Sequence, residues 1–210
     1  MSTTQLFEDI TFTENESYER IIDDLITKKY SIVDDFFTPE EVSTLRESLL
    51  IKYEEDSFKK SAIGNYTNQE IDKTIRGDFI LWIDEKKEEP TEQLFFTKVN
   101  SLVSYLNKTC FLGILTKEFY YYPTGTFYKR HLDTFQNDDR RKLSMVFYLN
   151  EDGWLPEFGG ELTLYLDEGD KTILPLPGRV VIFESQVIEH QVKRVMANER
   201  LSITGWLKTR

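Results

Sequence analysis

The sequence predicts an α+β fold, a mainly β core carrying supporting helices from the N-terminal part. Three observations predict it. Helical apolar periodicity dominates roughly residues 1–112, short β-rich segments broken by turns fill roughly 113–210, and the switch near Gly113 has no linker composition. Many short strands at regular spacing suggest a barrel or sandwich, so the helices are expected to pack on it within one domain spanning 1–210. At 210 residues, 40% hydrophobic and 14% aromatic, the chain has material for one packed interior.

The elements follow in order. Ile21, Ile22, Leu25 and Ile26 recur at helical spacing and predict a helix over Tyr18 to Lys28. The apolar run Ile32 to Phe37 predicts a short strand. Thr38 then reads as an N-cap, with Pro39 at the first helical position and Glu41 closing a capping box ahead of Val42, Leu45 and Leu49. Ser61 to Thr74 is polar, carries Gly64, Asn65 and Asn68, and reads as a mobile loop. A strand over Phe79 to Ile83 follows, and Leu94, Phe95, Val99, Leu102, Val103 and Leu106 predict a long helix over Glu92 to Asn107 lying on a sheet. Beyond Gly113, strands are predicted over Ile114 to Tyr122, Phe127 to Leu132, Leu143 to Leu149, Glu161 to Leu166, Arg179 to Phe183 and Leu201 to Leu207.

Charge and cysteine content exclude several function classes. With 26 basic and 37 acidic residues the chain carries −11, and an acidic surface repels phosphate backbones, so nucleic acid is not an expected partner. No basic amphipathic segment or bilayer-length apolar run is present, and the N-terminal stretch lacks the pattern of a secretory signal, so a cytoplasmic protein is expected. Cys110 is the only cysteine, which removes internal disulfides and thiolate cages. A metal here must use imidazole and carboxylate.

The chain has two histidines, both at predicted strand edges in the β-rich half. His131 and Asp133 stand two apart, so an extended backbone would present both on one face. His190 would add a third ligand from a neighbouring strand. Two His and one carboxylate on one side of a metal form the facial triad of non-haem iron(II) oxygenases, with positions left open for cosubstrate and O₂. By itself a His-x-Asp pair is also consistent with a chance dipeptide or a surface hydrogen bond. Arg200 and Ser202 add weight: on one strand face, a guanidinium with a nearby hydroxyl suits the far carboxylate of a dicarboxylic acid, although a strand-edge salt bridge is the alternative.

An ordered series of motifs surrounds these residues: Ile75-Arg76-Gly77-Asp78, Trp82, Tyr122-Pro123, Tyr128 to Asp133, Phe147-Tyr148-Leu149-Asn150, Trp154, Gly159-Gly160-Glu161-Leu162, Pro177-Gly178, Phe183, His190 and Arg200. The series, covering roughly residues 30 to 208, resembles the prolyl hydroxylase branch of the Fe(II)/2-oxoglutarate oxygenases, which includes the enzymes that hydroxylate hypoxia-inducible factor. The resemblance implies a double-stranded β-helix, or cupin-like jelly roll, with His131, Asp133 and His190 holding Fe(II). It further implies that Arg200 grips the distal carboxylate of 2-oxoglutarate, helped by Tyr148, with Tyr122 and Ser202 near the cosubstrate. Arg141 and Trp206 match positions at the entrance and wall of the site that meet substrate, although the charge run around Arg141 also reads as a solvated turn. The loop 61–74 matches a finger that closes over peptide, and Arg76 and Asp78 read as an internal pair at a turn.

The implied reaction is hydroxylation of a prolyl residue in a protein or peptide, consuming O₂ and 2-oxoglutarate and releasing succinate and CO₂, with L-ascorbate keeping the iron reduced. The alternatives are a 2-oxoglutarate oxygenase acting on another residue or a free amino acid, and a non-catalytic metal-binding jelly-roll sensor. Compared with the animal hydroxylases, Tyr122 to His131 is one residue shorter and His190 to Arg200 one longer, so the loops flanking the metal are expected to differ. The sequence given ends at Arg210 without the C-terminal helix that helps those enzymes hold peptide, which leaves the substrate and the oligomeric state open.

Overall fold

Three helices are placed by local chemistry that the sequence carries openly. In the computed structural model, which describes residues 13–54, 59–60, 79–83, 89–122, 127–134 and 139–209, Asn15 caps α1 (Glu16–Lys28) by accepting from the Tyr18 N–H. Glu16 and Glu19 in its first turn and Lys28 in its last complement the helix dipole, and Ile21, Ile22 and Leu25 are buried. The capping box at α2 (Pro39–Glu54) forms as read: Thr38 N–H donates to Glu41 Oε2 at 2.8 Å and Glu41 N–H to Thr38 Oγ1 at 3.3 Å. The third helix, α3 (Pro90–Thr109), buries Phe95, Val99, Leu102, Val103 and Leu106 along one stripe. The loop 61–74 and the Arg76–Asp78 pair lie outside the described residues.

Eleven strands are described: β1 (Tyr30–Val33), β2 (Lys59–Lys60), β3 (Phe79–Ile83), β4 (Thr116–Tyr122), β5 (Tyr128–His131), β6 (Arg141–Tyr148), β7 (Leu162–Tyr165), β8 (Lys171–Ile173), β9 (Val180–Glu184), β10 (Glu189–Val192) and β11 (Ser202–Lys208). They form two antiparallel sheets, a larger one in the order β1-β9-β6-β11-β4-β3-β2 and a smaller one in the order β5-β10-β7-β8. This is the two-sheet arrangement a jelly roll requires. The predicted strand at Ile32–Phe37 begins earlier and ends at Val33, because Asp34 and Asp35 form a turn in which Asp35 takes φ 56°. Phe36 and Phe37 therefore leave the sheet, and Phe37 packs against Phe95 and Phe147 at centroid separations of 5.9 and 5.7 Å.

At β6 and β9 the large sheet is buried on both faces. On β6, Leu143, Met145 and Phe147 join the core under the helices, while Val146 and Tyr148 join the core between the sheets. Val180 and Ile182 against Val181 and Phe183 divide β9 in the same way. Two-sided burial explains why these strands read as unbroken apolar runs rather than alternating ones. The inter-sheet core is completed by Leu162, Leu164 and Ile173 of the small sheet, and it forms the floor on which the site is built.

Candidate metal centre and cosubstrate pocket

The two histidines face each other across a strand pair. His190 of β10 is in register with His131 of β5, and their ring centroids are 4.3 Å apart. Asp133 does not share a strand face with His131, as an extended reading of the motif would have it. The strand ends at His131 and Asp133 sits in the bend that follows. The bend swings the carboxylate back between the imidazoles: Oδ1 lies 3.5 Å from His131 Nε2 and Oδ2 lies 3.5 Å from His190 Nε2. One ligand atom from each residue falls within 4.8 Å of the others.

Both rings have their orientation fixed from behind. The Nδ1 atoms of His131 and His190 lie 2.7 and 3.3 Å from the carbonyls of Lys129 and Ile188, contacts that place the proton on Nδ1 and leave Nε2 as a lone pair facing Asp133. Tyr128 stacks on His131 at 3.5 Å, and Phe183 meets His190 edge-on at 4.6 Å. Burial pushes the His190 imidazole down to about 4 despite the pull of Asp133, so it is neutral at pH 7. Burial also opposes charge on Asp133, but the imidazoles of His190 and His131 and the Ser144 hydroxyl outweigh it and hold the carboxyl well below the usual carboxylate range. One carboxylate anion and two outward lone pairs are what a divalent cation needs. His131 Nε2 is buried with no hydrogen-bond partner among the described residues, which fits a metal ligand and little else.

Ser144 and Ser185 belong to this centre and were not singled out from sequence. Ser144 Oγ donates to Asp133 Oδ2 at 2.7 Å and lies 2.8 Å from Ser185 Oγ, all within buried surroundings. The available signal was a lone serine inside the apolar run of β6. Arg141, first residue of β6, is buried rather than part of a solvated turn. Its guanidinium lies 3.7 Å above the Trp206 ring and donates to the Asp133 carbonyl at 3.3 Å. The flanking aspartate and lysine suggested solvent, whereas stacking and the carbonyl supply an interior.

A cavity opens beside the triad, lined in part by Phe127, Tyr128, Val146, Leu162, Arg200, Thr204 and Trp206. Arg200 does not lie on a strand face with Ser202, because β11 starts at Ser202; the two are joined instead by a 3.0 Å hydrogen bond from Nη1 to the serine hydroxyl. Arg200 Nε donates to the Gly160 carbonyl at 2.8 Å. Only 7% of Arg200 is exposed, and no acidic side chain pairs with it among the described residues. Tyr148 lies beside it, its ring centre 5.2 Å from the guanidinium carbon, and its buried hydroxyl has no hydrogen-bond partner among the described residues. Burial raises the Tyr148 hydroxyl above its ordinary value against the Arg200 charge, so it remains a donor. Tyr122 pairs through its backbone with Ser202 between β4 and β11, while its side chain lies outside what is described.

Comparison with known proteins agrees with this geometry. A family model described as the 2OG-Fe(II) oxygenase superfamily matches residues 118–208, from β4 to the end of β11. A solved prolyl-4-hydroxylase of Pseudomonas putida is 33% identical, with a TM-score of 0.81 over 92% of this chain and 99% of that one. The chain belongs to the 2OG-Fe(II) oxygenase superfamily. A prolyl hydroxylase of Trichoplax adhaerens, solved with a hypoxia-inducible factor peptide, shares this oxygenase fold at 27% identity and a TM-score of 0.79, over 93% of this chain and 94% of that one. Human Egl nine homolog 1 is 30% identical over 83% of this chain. The chain spans 42% of that protein's length, and between 28% and 54% of the curated hydroxylases of this type that it matches. Membership brings Fe(II), 2-oxoglutarate and O₂ to the oxygenase, and the His-Asp-His group is present to receive the metal. Among the described residues no helix is long and apolar enough to cross a membrane.

Proposed function

We propose that this chain, acting as one oxygenase domain, hydroxylates a prolyl residue in a protein. One observation supports the 2-oxoglutarate dependence most directly: a buried guanidinium, without an acidic partner among the described residues, lies on the same cavity as the His-Asp-His group. An unpaired buried charge costs several kcal/mol, and an incoming carboxylate removes that penalty. Arg200 takes the distal carboxylate of 2-oxoglutarate, the Tyr148 hydroxyl adds a neutral donor, and Ser202 holds the guanidinium in place. His131, Asp133 and His190 supply the metal ligands, and the opposed carbonyls of Lys129 and Ile188 keep both imidazoles in the ligating tautomer. Fe(II) held by these three side chains would supply the O₂ chemistry, in which one oxygen atom goes to the substrate C–H bond and the other to the succinate that leaves with CO₂.

Trp206, with Arg141 stacked on its ring, forms the wall along which the target residue lies, and the apolar surfaces of Val146 and Leu162 keep water from the reacting atoms. L-ascorbate serves as reductant for iron oxidised without substrate, and the cytoplasm is the compartment proposed, consistent with a single cysteine. The test is succinate release from purified protein given Fe(II), 2-oxoglutarate and O₂, with mass spectrometry of candidate proteins for a gain of one oxygen on proline. His131→Ala is expected to abolish release. Equal release from both proteins refutes the metal assignment, and product only on free amino acids refutes the protein substrate.

A further inference from the structure

Arg200 presents a mechanical problem. It stands ahead of β11, at the end of a stretch in which Met196 to Glu199 are exposed, so no sheet ladder fixes its backbone. Its guanidinium is nevertheless held at two points, Nη1 by the Ser202 hydroxyl and Nε by the Gly160 carbonyl, so the direction of that carbonyl bears on where the guanidinium points.

The Gly159–Gly160 pair is an unusual piece of chain. Gly159 has φ +70° and Gly160 φ +75°, both left-handed, and a Cβ on Gly159 would meet the Arg194 carbonyl oxygen at 2.1 Å. Glycines so free in principle need something to choose their peptide orientation. The Trp154 indole and a backbone bridge from Gly159 to Val195 supply it together. Trp154 is buried at 6% exposure, and its Nε1–H donates to the Gly159 carbonyl at 3.0 Å. Its ring edge lies 3.4 Å from where a Gly160 Cβ would stand, on the side where Arg200 Cδ also approaches. The indole hydrogen bond orients the Gly159–Gly160 peptide plane, the Trp154 ring edge limits the turn at Gly160, and backbone pairing of Gly159 with Val195 and of Glu161 with Lys193 holds the two ends, so that the Gly160 carbonyl is turned toward Arg200.

A second contact holds the backbone of the same arginine. Asn150, 1% exposed, accepts from the Leu201 N–H at 2.6 Å while its amide donates to the Pro175 carbonyl at 2.6 Å. Neither Trp154 nor Asn150 lines the cosubstrate cavity.

We propose that Trp154 is a positioning residue for the cosubstrate: acting through the Gly159–Gly160 carbonyls it aims Arg200, and thereby sets selectivity for a 2-oxo acid bearing a distal carboxylate. The inference rests on Arg200 as the carboxylate grip. Asn150 anchors the same arm from the opposite side.

The experiment is calorimetric binding to the Mn(II)-loaded full chain, without O₂, using 2-oxoglutarate and 2-oxobutyrate, which has the keto acid but no distal carboxylate. Trp154→Phe keeps an aromatic ring but loses the N–H together with the second ring of the indole and its edge against Gly160. It is expected to weaken 2-oxoglutarate binding about five- to tenfold, the effect of one misdirected hydrogen bond to a charged group, and to leave 2-oxobutyrate unchanged. Turnover at saturating 2-oxoglutarate should then match the wild type, with the change confined to KM. Tyr105→Phe, which removes contacts to Glu19 and Asn15 in the helical layer, controls for general loosening and is expected to leave both affinities alone. Equal weakening of both ligands in Trp154→Phe, or the same loss in Tyr105→Phe, overturns the proposal. So does unchanged 2-oxoglutarate binding in Trp154→Phe when Arg200→Met weakens it. If Arg200→Met itself has no effect, the assignment of Arg200 fails instead.

Discussion

Replacing Ser144 by alanine tests whether the carboxylate of the metal centre is prepared before metal arrives. In the folded chain the Ser144 hydroxyl donates to Asp133 Oδ2 at 2.7 Å, and its own oxygen lies 2.8 Å from Ser185 Oγ, so one atom joins the ligand to β9's end of the large sheet. Alanine removes a buried hydrogen bond to a charged group, worth about 1.5–3 kcal/mol, and leaves Asp133 Oδ2 free to turn toward His190 or away from it. Loss of such a contact behind a ligand lowers metal affinity about 10- to 100-fold, which corresponds to about 1.4–2.8 kcal/mol and agrees with the hydrogen-bond figure. The assay is competitive titration of the metal-free protein with Mn(II) or Co(II) at fixed pH, beside Asp133→Ala as the upper limit. A metal Kd within twofold of wild type in Ser144→Ala, with Asp133→Ala abolishing binding, refutes the reasoning.

The pH dependence of the metal-free protein follows from His190, whose ordinary value of 6.5 falls to about 4 on burial. Between those values the unfolded chain takes up a proton that the folded chain does not, so stability falls as pH falls through this window, by up to about 3 kcal/mol. Asp133, held low in the fold, adds a further loss below the ordinary carboxylate range. Urea midpoints measured between pH 7 and 4 check this, and a flat profile contradicts it. Gly160→Ala would place a Cβ 2.8 Å from Arg200 Cδ at φ +75°, pushing the guanidinium off its carbonyl; the 2-oxoglutarate KM should rise about tenfold with metal affinity unchanged, and loss of metal binding instead would point to a wider disruption.

How much of this was legible depended on whether the deciding physics was local. The Thr38–Glu41 capping box is complete within four residues and was readable outright. The strands β6 and β9 were readable as apolar runs, yet which residues face helices and which face the site needed the second sheet. β8, only Lys171–Ile173, carries too short a pattern to be read, and β10 is recognisable only because it pairs with β5 and β7. The candidate metal group was legible as a proposal because two histidines are all the chain has, although the bend that brings Asp133 close to both was not. The solvated-turn alternative for Arg141 arose because its neighbours are charged, while its own environment is a tryptophan face contributed by β11. Ser144 and Gly160 meet partners distant in sequence, Ser185 and Arg200, and Trp154 reaches Arg200 only by way of the glycine pair, so residue type alone did not give their proposed roles.

The site's precision comes from the packing of two sheets rather than from either one. His131 and His190 belong to the small sheet, whereas Asp133 is clamped by Ser144 and Arg141 of the large sheet, so the ligand distances record how the sheets are seated. Leu164, fully buried between them, stands in register with His190 across the β10–β7 pair. Leu45, equally buried, packs in the other core, beneath the helices. Either leucine replaced by alanine should cost about 2–5 kcal/mol of stability. If inter-sheet seating sets the ligand geometry, Leu164→Ala also weakens Mn(II) binding about tenfold at a temperature where both variants are folded, and Leu45→Ala does not. Equal metal affinities in two variants of equal stability loss would show that the centre is held by its local hydrogen bonds alone.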